Sequence, residues 1–219
     1  MSEEKKDLVV FIGCKNFGKN WNAKPYIESG YKEIAFADSL RDMLWDILGF
    51  KPSEDFTYDE MKKSMLITHK VKKTILNIFK INKVIEVATF RVLLQNLGST
   101  MKKKFGENFW TNIWYKKVIE SGCNVVTTDI RFPNEIKKAL SLTKKGYNVK
   151  FIWCCYSGAN FVEILKDTHE SEQLAQYIYW NQDEYKLFDG CPIDIDVINK
   201  ILKDYSQLQK SKERLSNLS

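Results

Sequence analysis

The stretch from Leu8 to Asn20, LVVFIGCKNFGKN, decides how the rest of the chain is interpreted. Its first five residues, 8–12, are apolar and predict a strand buried on both faces, as in a parallel sheet. The spacing Gly13-x4-Gly18-Lys19 that follows is that of a phosphate-binding loop. Glycines let backbone N–H groups turn towards an anion, and the next helix directs its positive N-terminus at the same anion. The stretch therefore predicts a nucleotide loop whose Lys19 reaches the β- and γ-phosphates.

The residues after Lys19 depart from the usual pattern of such loops. The pattern closes with Ser or Thr, whose hydroxyl binds Mg²⁺, whereas Asn20 and Trp21 stand here. The alternative interpretation is an ordinary strand-to-helix turn that contains glycines and a solvated lysine. We expect the nucleotide loop because a buried strand precedes it.

Composition and charge narrow the class of protein. The chain has 219 residues, of which 44% are hydrophobic and 28% charged, which suits one α/β domain with insertions. Its net charge of +6 is dispersed, which favours an anionic ligand over a dedicated nucleic-acid surface. Five cysteines without a Cys-x-x-Cys pair predict reduced thiols and a cytoplasmic setting. No run approaches the ~18 apolar residues of a membrane span, so we expect no membrane partner.

Two predicted helices carry candidate ligand-binding residues. Asp38 and Arg41 lie on the first turn of one helix. They are either a helix cap and its solvated partner or contacts to a ligand. The other helix, Val87 to Lys104, places Arg91, Gln95 and Gly98 at i, i+4 and i+7, away from its apolar face. Arginine can bind a phosphate through two N–H groups, and glutamine can read a base edge. This face is therefore a candidate reader of a phosphate and a base.

A second candidate region follows a predicted strand, Asn124 to Thr128. Asp129 closes that strand, and an acid at this position after a phosphate loop is suited to Mg²⁺ or its water shell. Arg131 lies two residues on, and the pair forms either a strand-end salt bridge or part of a site at the ligand-binding edge of the sheet. We expect the second. For His169, a surface or capping role is expected rather than a catalytic one.

The remaining segments continue an alternation of strands and helices, which predicts a parallel sheet wrapped by helices. Further strands are predicted at 34–36, 149–155 and 185–188. Further helices are predicted at 22–29, 58–81 (one broken helix or two), 108–121, from Pro133 to Gly146, from His169 to about Trp180 and from Asp194. Trp110, in one of these helices, is expected in the core, with a position beside a nucleotide base as the alternative.

Six stretches occur in the order found in one known family and cover most of the chain. They are GCKNFGKN (13–20), FADSLRDML (36–44), RVLLQNLGST (91–100), Trp110, TDIRFPNE (128–135) and HESEQ (169–173). Through them the sequence resembles the deoxynucleoside monophosphate kinases of phages and large DNA viruses, a branch of the P-loop nucleoside monophosphate kinases. TDIRFPNE and RVLLQ-x-x-G with the downstream tryptophan are the more specific matches.

The resemblance implies an α/β, three-layer P-loop NTPase fold with a parallel sheet of about five strands. One kinase domain would span 1–206, with a helical monophosphate-binding lobe at about 38–106, a small lid at about 156–170 and a polar, frayed tail at 207–219. The implied reaction is ATP + dNMP → ADP + dNDP with Mg²⁺, in the cytoplasm, or the host cytoplasm if the protein is viral. Small-molecule nucleotides are the implied partners, and a homodimer remains open.

The resemblance also implies a role for each matching residue. Those implied to bind ATP are Gly13, Lys15, Gly18, Lys19 and Asn20. Those implied to bind the monophosphate are Asp38, Arg41, Arg91, Gln95, Gly98, Ser99, Thr100, Trp110, Asp129, Arg131 and Glu135. Lys19, Arg131 and Asp129 are the implied catalytic residues, and Asp129 would meet the metal directly or through water.

Departures from the family motivate an alternative function. Asn20-Trp21 replaces the usual acid or hydroxyl, and Gln95 stands where the family often has a basic residue. The predicted lid contains Lys166 but no arginine, and lysine is a poorer clamp for a phosphoryl group. The alternative is a catalytically impaired relative that serves as a nucleotide-binding or assembly protein. A small-metabolite kinase of related fold is a third interpretation.

Overall fold

The computed structural model describes residues 5–48, 90–155 and 170–216, and the chain divides into two compact units. The first unit comprises Met1–Ala35 and Tyr115–Ser219, and the second comprises Phe36–Trp114. The predicted monophosphate-binding lobe falls within the second unit. The helices predicted at 58–81, His169 and all but the last residue of the predicted lid lie outside the described residues.

The first unit is built on a five-stranded sheet with the order β2-β3-β1-β4-β5. The strands are β1 Lys6–Ile12, β2 Lys32–Glu33, β3 Val125–Thr127, β4 Tyr147–Trp153 and β5 Pro192–Ile193. β1 pairs in parallel with β3 and β4, and β2 pairs in parallel with β3. β5 is antiparallel to β4, so the prediction of an all-parallel sheet is wrong at this edge. An antiparallel edge strand on a parallel sheet is common in α/β proteins.

The helices begin and end near the predicted positions. They are α1 Lys19–Glu28, α2 Asp38–Leu48, α3 Phe90–Phe105, α4 Phe109–Ser121, α5 Pro133–Ser141, α6 Glu170–Trp180 and α7 Ile195–Ser216. Within the described ranges, every helix is too short or too polar to cross a lipid bilayer.

Three details of the secondary structure differ from the sequence predictions. The second strand lies at 32–33 rather than 34–36, although Ile34 N–H still donates to Val126 O at 3.0 Å. Residues 185–188 do not form a strand, because the turn that begins at 181 continues to Lys186, whose φ is 54°. Buried Tyr185 and Leu187 alternate with exposed neighbours there and so imitate a strand. The tail does not fray at 207, because helix-forming residues continue α7 to Ser216.

The apolar run that opens the chain forms the buried centre of the sheet, as predicted. Leu8 to Ile12 are at most 1% exposed. Val9 and Phe11 pack with Ala23 of α1, Val126 of β3 and Cys154 beyond β4. The ends of β1, β3 and β4 therefore meet at one carboxyl edge, which is the edge where open α/β sheets bind ligands.

The second unit is held together by apolar faces of its helices. Leu44 of α2 packs with Leu93 and Leu97 of α3 and with Trp110. Trp110 is buried, and its indole N–H donates to Gly98 O at 3.1 Å. The core interpretation of Trp110 is therefore the observed one.

Candidate functional site

The loop between β1 and α1 packs against the carboxyl edge of the sheet. Cys154, just beyond β4, donates its N–H to Ile12 O at 2.8 Å, which extends the pairing of β4 with β1. A Cβ at Gly13 would lie only 2.4 Å from Cys154 O, closer than real Cβ contacts allow. Only glycine fits at this position. The first glycine of the predicted loop is therefore required by packing on the sheet.

The loop between β1 and α1 turns through two residues with left-handed backbone conformations. Asn16 has a φ of 65° and Gly18 a φ of 76°. Phe17 N–H donates to Cys14 O at 3.2 Å, which closes the turn between them. This conformation is accessible to glycine without strain and is tolerated by asparagine. The observed turn accounts for the glycine at 18 in the spacing.

Lys19 is the first residue of α1, and it is only 7% exposed. Its ammonium donates to Gly13 O and to Cys14 O, at 2.7 Å each. The interpretation as a turn with a solvated lysine is therefore wrong. An ammonium has three N–H donors, so the two loop carbonyls leave a third for a ligand oxygen.

The surroundings of Lys19 disfavour its charged form. Burial, followed by the positive charge of Arg131, lowers the pKa of Lys19 to about 8, and the negative charge of Glu172 opposes this shift. Lys19, Arg131 and Glu172 thus lie within electrostatic range of one another. A phosphate would restore the interactions with negative charge that the buried ammonium has lost to desolvation.

Arg131 lies in the loop that follows β3, and its side chain is 26% exposed. Its guanidinium donates from Nη1 to Oε1 of Glu172 at 2.5 Å. The observed salt bridge therefore joins Arg131 to α6. The structure brings two residues of the predicted site, Lys19 and Arg131, to the same edge of the sheet.

Glu172 was not among the residues predicted from the sequence. It lies in the first turn of α6 and is 3% exposed. Its Oε2 accepts the backbone N–H of Lys15 at 3.0 Å, in addition to the contact of Oε1 with Arg131. The sequence feature that could have identified Glu172 as a site residue is its place in the HESEQ stretch, 169–173, which belongs to the family resemblance.

The two other acids of the β3–α5 segment have distinct environments. Asp129 accepts the hydroxyl of Thr127 at 3.3 Å and is partly exposed. Glu135 is buried, and its Oε2 accepts the backbone N–H groups of Arg131 at 2.6 Å and Phe132 at 3.0 Å. Glu135 therefore caps the N-terminus of α5. Nucleotide contacts by Asp129 and Glu135 stay predictions.

The donor chemistry at the sheet edge can be compared with what Mg²⁺ requires. Within residues 5–48, 90–155 and 170–216, no three His, Cys, Asp or Glu residues cluster to hold a metal. In phosphoryl-transfer sites, Mg²⁺ takes one or two carboxylates and fills its shell with phosphate oxygens and water. One carboxylate is enough for that requirement, and binding of the metal by Asp129 stays a prediction.

The remaining predicted residues belong to the second unit. Arg41 forms a salt bridge with Asp38 on the first turn of α2, which agrees with the surface-partner interpretation. The others lie on α3 and have different exposures. Ser99 is exposed, and Gln95, Gly98 and Thr100 are partly exposed, whereas for Arg91 only its place in the helix is described. Monophosphate contacts by these residues stay predictions.

The first unit thus assembles an ammonium, a guanidinium, a glycine-containing loop and a buried carboxylate at the carboxyl edge of its sheet. These groups come from the segments after two strands, β1 and β3, and from the first turn of α6. A scan against models of protein families finds no match to this chain, and a search of curated proteins finds none either. The functional assignment therefore depends on the residues and their geometry.

Proposed function

We propose that this protein transfers a phosphoryl group from ATP to a deoxynucleoside monophosphate, on a three-layer P-loop NTPase fold. The environment of Lys19 carries the proposal, because the ammonium is buried at the start of α1 and bonded to the loop carbonyls of Gly13 and Cys14. Burying an ammonium is unfavourable unless nearby groups compensate it. The two loop carbonyls and the negative charge of Glu172 compensate it in part, and a polyphosphate would supply the remainder.

The proposed chemistry balances without an additional reactant. An oxygen of the acceptor monophosphate attacks the γ-phosphorus of ATP, and the bond from that phosphorus to the β–γ bridging oxygen breaks, which releases ADP. No general base is needed because the attacking oxygen is already anionic. Mg²⁺, when bound, would neutralise charge on the transferring phosphates, with Asp129 as its carboxylate.

Charge neutralisation and alignment are the tasks left to the protein, since both reactants are anions. The third N–H of Lys19 is suited to a β- or γ-oxygen. Arg131 has five N–H donors and gives one to Glu172 in the observed salt bridge, so others can bind phosphate oxygens. The acceptor role of Asp38, Arg41 and the α3 residues enters the proposal through the family resemblance alone.

A coupled assay with ATP, Mg²⁺ and each of the four dNMPs tests the proposal. Lys19→Met keeps the aliphatic stem but removes the charge, and we expect kcat/KM to fall at least about 100-fold, as for removal of one transition-state donor. The matched control is Lys24→Met on the same helix, where Lys24 is exposed and pairs with Glu28. Turnover of the unsubstituted protein no faster than that of Lys19→Met would reject the proposal.

A second candidate is a nucleotide-binding or assembly protein without transferase activity. The first turn of α1 favours it, because Asn20 is exposed and Trp21 is 77% exposed where a hydroxyl would be expected near the metal. Calorimetry separates the two functions. Binding of a dNMP without binding of ATP, or of neither, supports the second candidate.

A further inference from the structure

The carboxylate of Glu172 occupies an unexpected place in a site built for anions. It accepts N–H groups from the loop backbone at Lys15 and from the guanidinium of Arg131. Both are donors that a phosphate would otherwise attract. The residue is almost wholly buried, and a buried carboxylate is unfavourable unless it is paired and hydrogen-bonded. Both of its oxygens have such partners here.

Apolar contacts hold the helix that carries Glu172 against the loop. Phe17 of the loop is buried with Ala175 of α6, and its ring meets that of Tyr179 edge-on at 5.7 Å. Glu172 lies one turn before Ala175 and two turns before Tyr179 on the same helix. Its carboxylate is therefore fixed by packing, and the two groups bonded to it are fixed in turn.

The exposures of the paired side chains indicate which of them meets a ligand. The Glu172 side chain is 4% exposed and that of Arg131 is 26% exposed. The carboxylate is thus almost inaccessible to solvent, whereas the guanidinium retains donors on a side chain that solvent can reach. The negative charge of Glu172 also offsets the repulsion between Arg131 and Lys19.

We propose that Glu172 is a positioning residue whose carboxylate holds the phosphate loop and the Arg131 guanidinium in fixed relative positions, so that both bind one polyphosphate. This inference depends on the proposed function. Glu172 acts through Lys15 and Arg131 and does not itself touch the nucleotide.

The first test compares Glu172→Gln with Glu170→Gln, which removes the same charge from an exposed position two residues away on α6. ATP binding is measured by calorimetry and turnover by the coupled assay. Misplacement of catalytic groups by about 1 Å can cost on the order of 100-fold in rate. We expect Glu172→Gln to lower kcat/KM for ATP roughly 10- to 100-fold and Glu170→Gln to change it less than about twofold.

A double-mutant cycle shows whether Glu172 acts through Arg131. Arg131→Ala is combined with Glu172→Gln, and kcat/KM is measured for both single variants and the double variant. Residues that act together give non-additive effects. We expect Glu172→Gln to have a smaller effect when Arg131 is already absent. Full additivity would contradict action through the guanidinium.

The pH dependence of turnover gives a readout that a purely structural role would not change. Lys19 is faced by Arg131 after β3, Glu172 of α6, Cys14 of the loop and Cys154 beyond β4. Burial raises the pKa of the two thiols, to about 12 for Cys14 and about 11 for Cys154, so near pH 8 both are neutral. Activity that needs charged Lys19 falls above about pH 8. Removing the Glu172 charge lowers the pKa of Lys19, so in Glu172→Gln the fall begins at lower pH.

The outcomes separate this inference from the proposed function. If the unsubstituted protein neither binds ATP nor turns it over, both are overturned. If it does, but Glu172→Gln matches Glu170→Gln in kcat/KM and in pH profile, only the positioning role is overturned.

Should Glu172→Gln unfold below the assay temperature, Glu172→Asp replaces it. That variant keeps the charge but shortens the side chain by one methylene. We then expect an unshifted pH profile with reduced kcat/KM, and an unchanged kcat/KM would overturn the role.

Discussion

Replacing Gly13 with alanine tests how tightly the loop packs on the sheet. The new Cβ would lie 2.4 Å from the carbonyl oxygen of Cys154 and must move to at least 3.0 Å. The obstructing atom is backbone, and the N–H of the same residue is bonded to Ile12 O at 2.8 Å, so β4 cannot yield without losing sheet pairing. Overpacking of this kind costs about 1–3 kcal/mol in the free energy of unfolding. At about 2–4 °C per kcal/mol for chains of this size, Tm should fall by roughly 2–12 °C.

Thermal unfolding followed by circular dichroism measures the effect, with Gly98→Ala as the matched control. Gly98 lies inside α3, where a Cβ would meet Leu40 Cδ2 at an ordinary 3.5 Å. Alanine is the better helix former by roughly 0.5–1 kcal/mol, so the control should keep or raise Tm. A Gly13→Ala protein as stable as the unsubstituted one would refute the close approach of loop and strand. An equal loss in both variants would show that the effect is not specific to Gly13.

Three further predictions follow from the same unit of the structure. The pKa of Lys19 is lower in the folded protein than its ordinary value of 10.5. Between about pH 8 and 10.5 the unfolded chain therefore binds more protons than the folded one. The free energy of unfolding should rise with pH in this range when it is compared with that of Lys19→Met. Denaturant titrations at several pH values measure this difference, and a constant difference contradicts the burial of the charge. Glu135→Ala removes the acceptor for two N–H groups at the start of α5 and should cost about 0.5–2 kcal/mol in unfolding free energy, whereas Glu184→Ala on the surface should cost little. Because burial raises the pKa of Cys14 and Cys154, iodoacetamide at pH 8 should label these thiols only after the protein unfolds. Peptide mass spectrometry measures the labelling, and rapid labelling of the native protein would count against their burial.

Much of the first unit was predictable because local pattern and global structure agree there. The apolar run of β1 has no other way to be buried than as a central strand, and the glycine spacing after it matches the observed turn. In the second unit, helical periodicity located α2 and α3 in the same way, and it located α4, which begins there. These segments are long enough for the pattern to be informative.

The failures arose where the decisive contact is distant in sequence. β5 has two residues, too few for any periodicity, and its antiparallel direction is set by pairing with β4. Glu172 was missed because the sequence of α6 offers Glu170 and Glu172 as two similar acids. Only the packing of α6 on the loop buries one and exposes the other.

The salt bridge between Arg131 and Glu172 also limits how this chain can diverge. Loss of Arg131 alone would leave the buried carboxylate of Glu172 without its cation, and loss of Glu172 alone would leave the Arg131 guanidinium and the Lys15 N–H without their acceptor. Selection should therefore accept replacements at positions 131 and 172 mainly as a coupled exchange. Coevolution between these two positions, 41 residues apart in sequence, would be the record of that constraint.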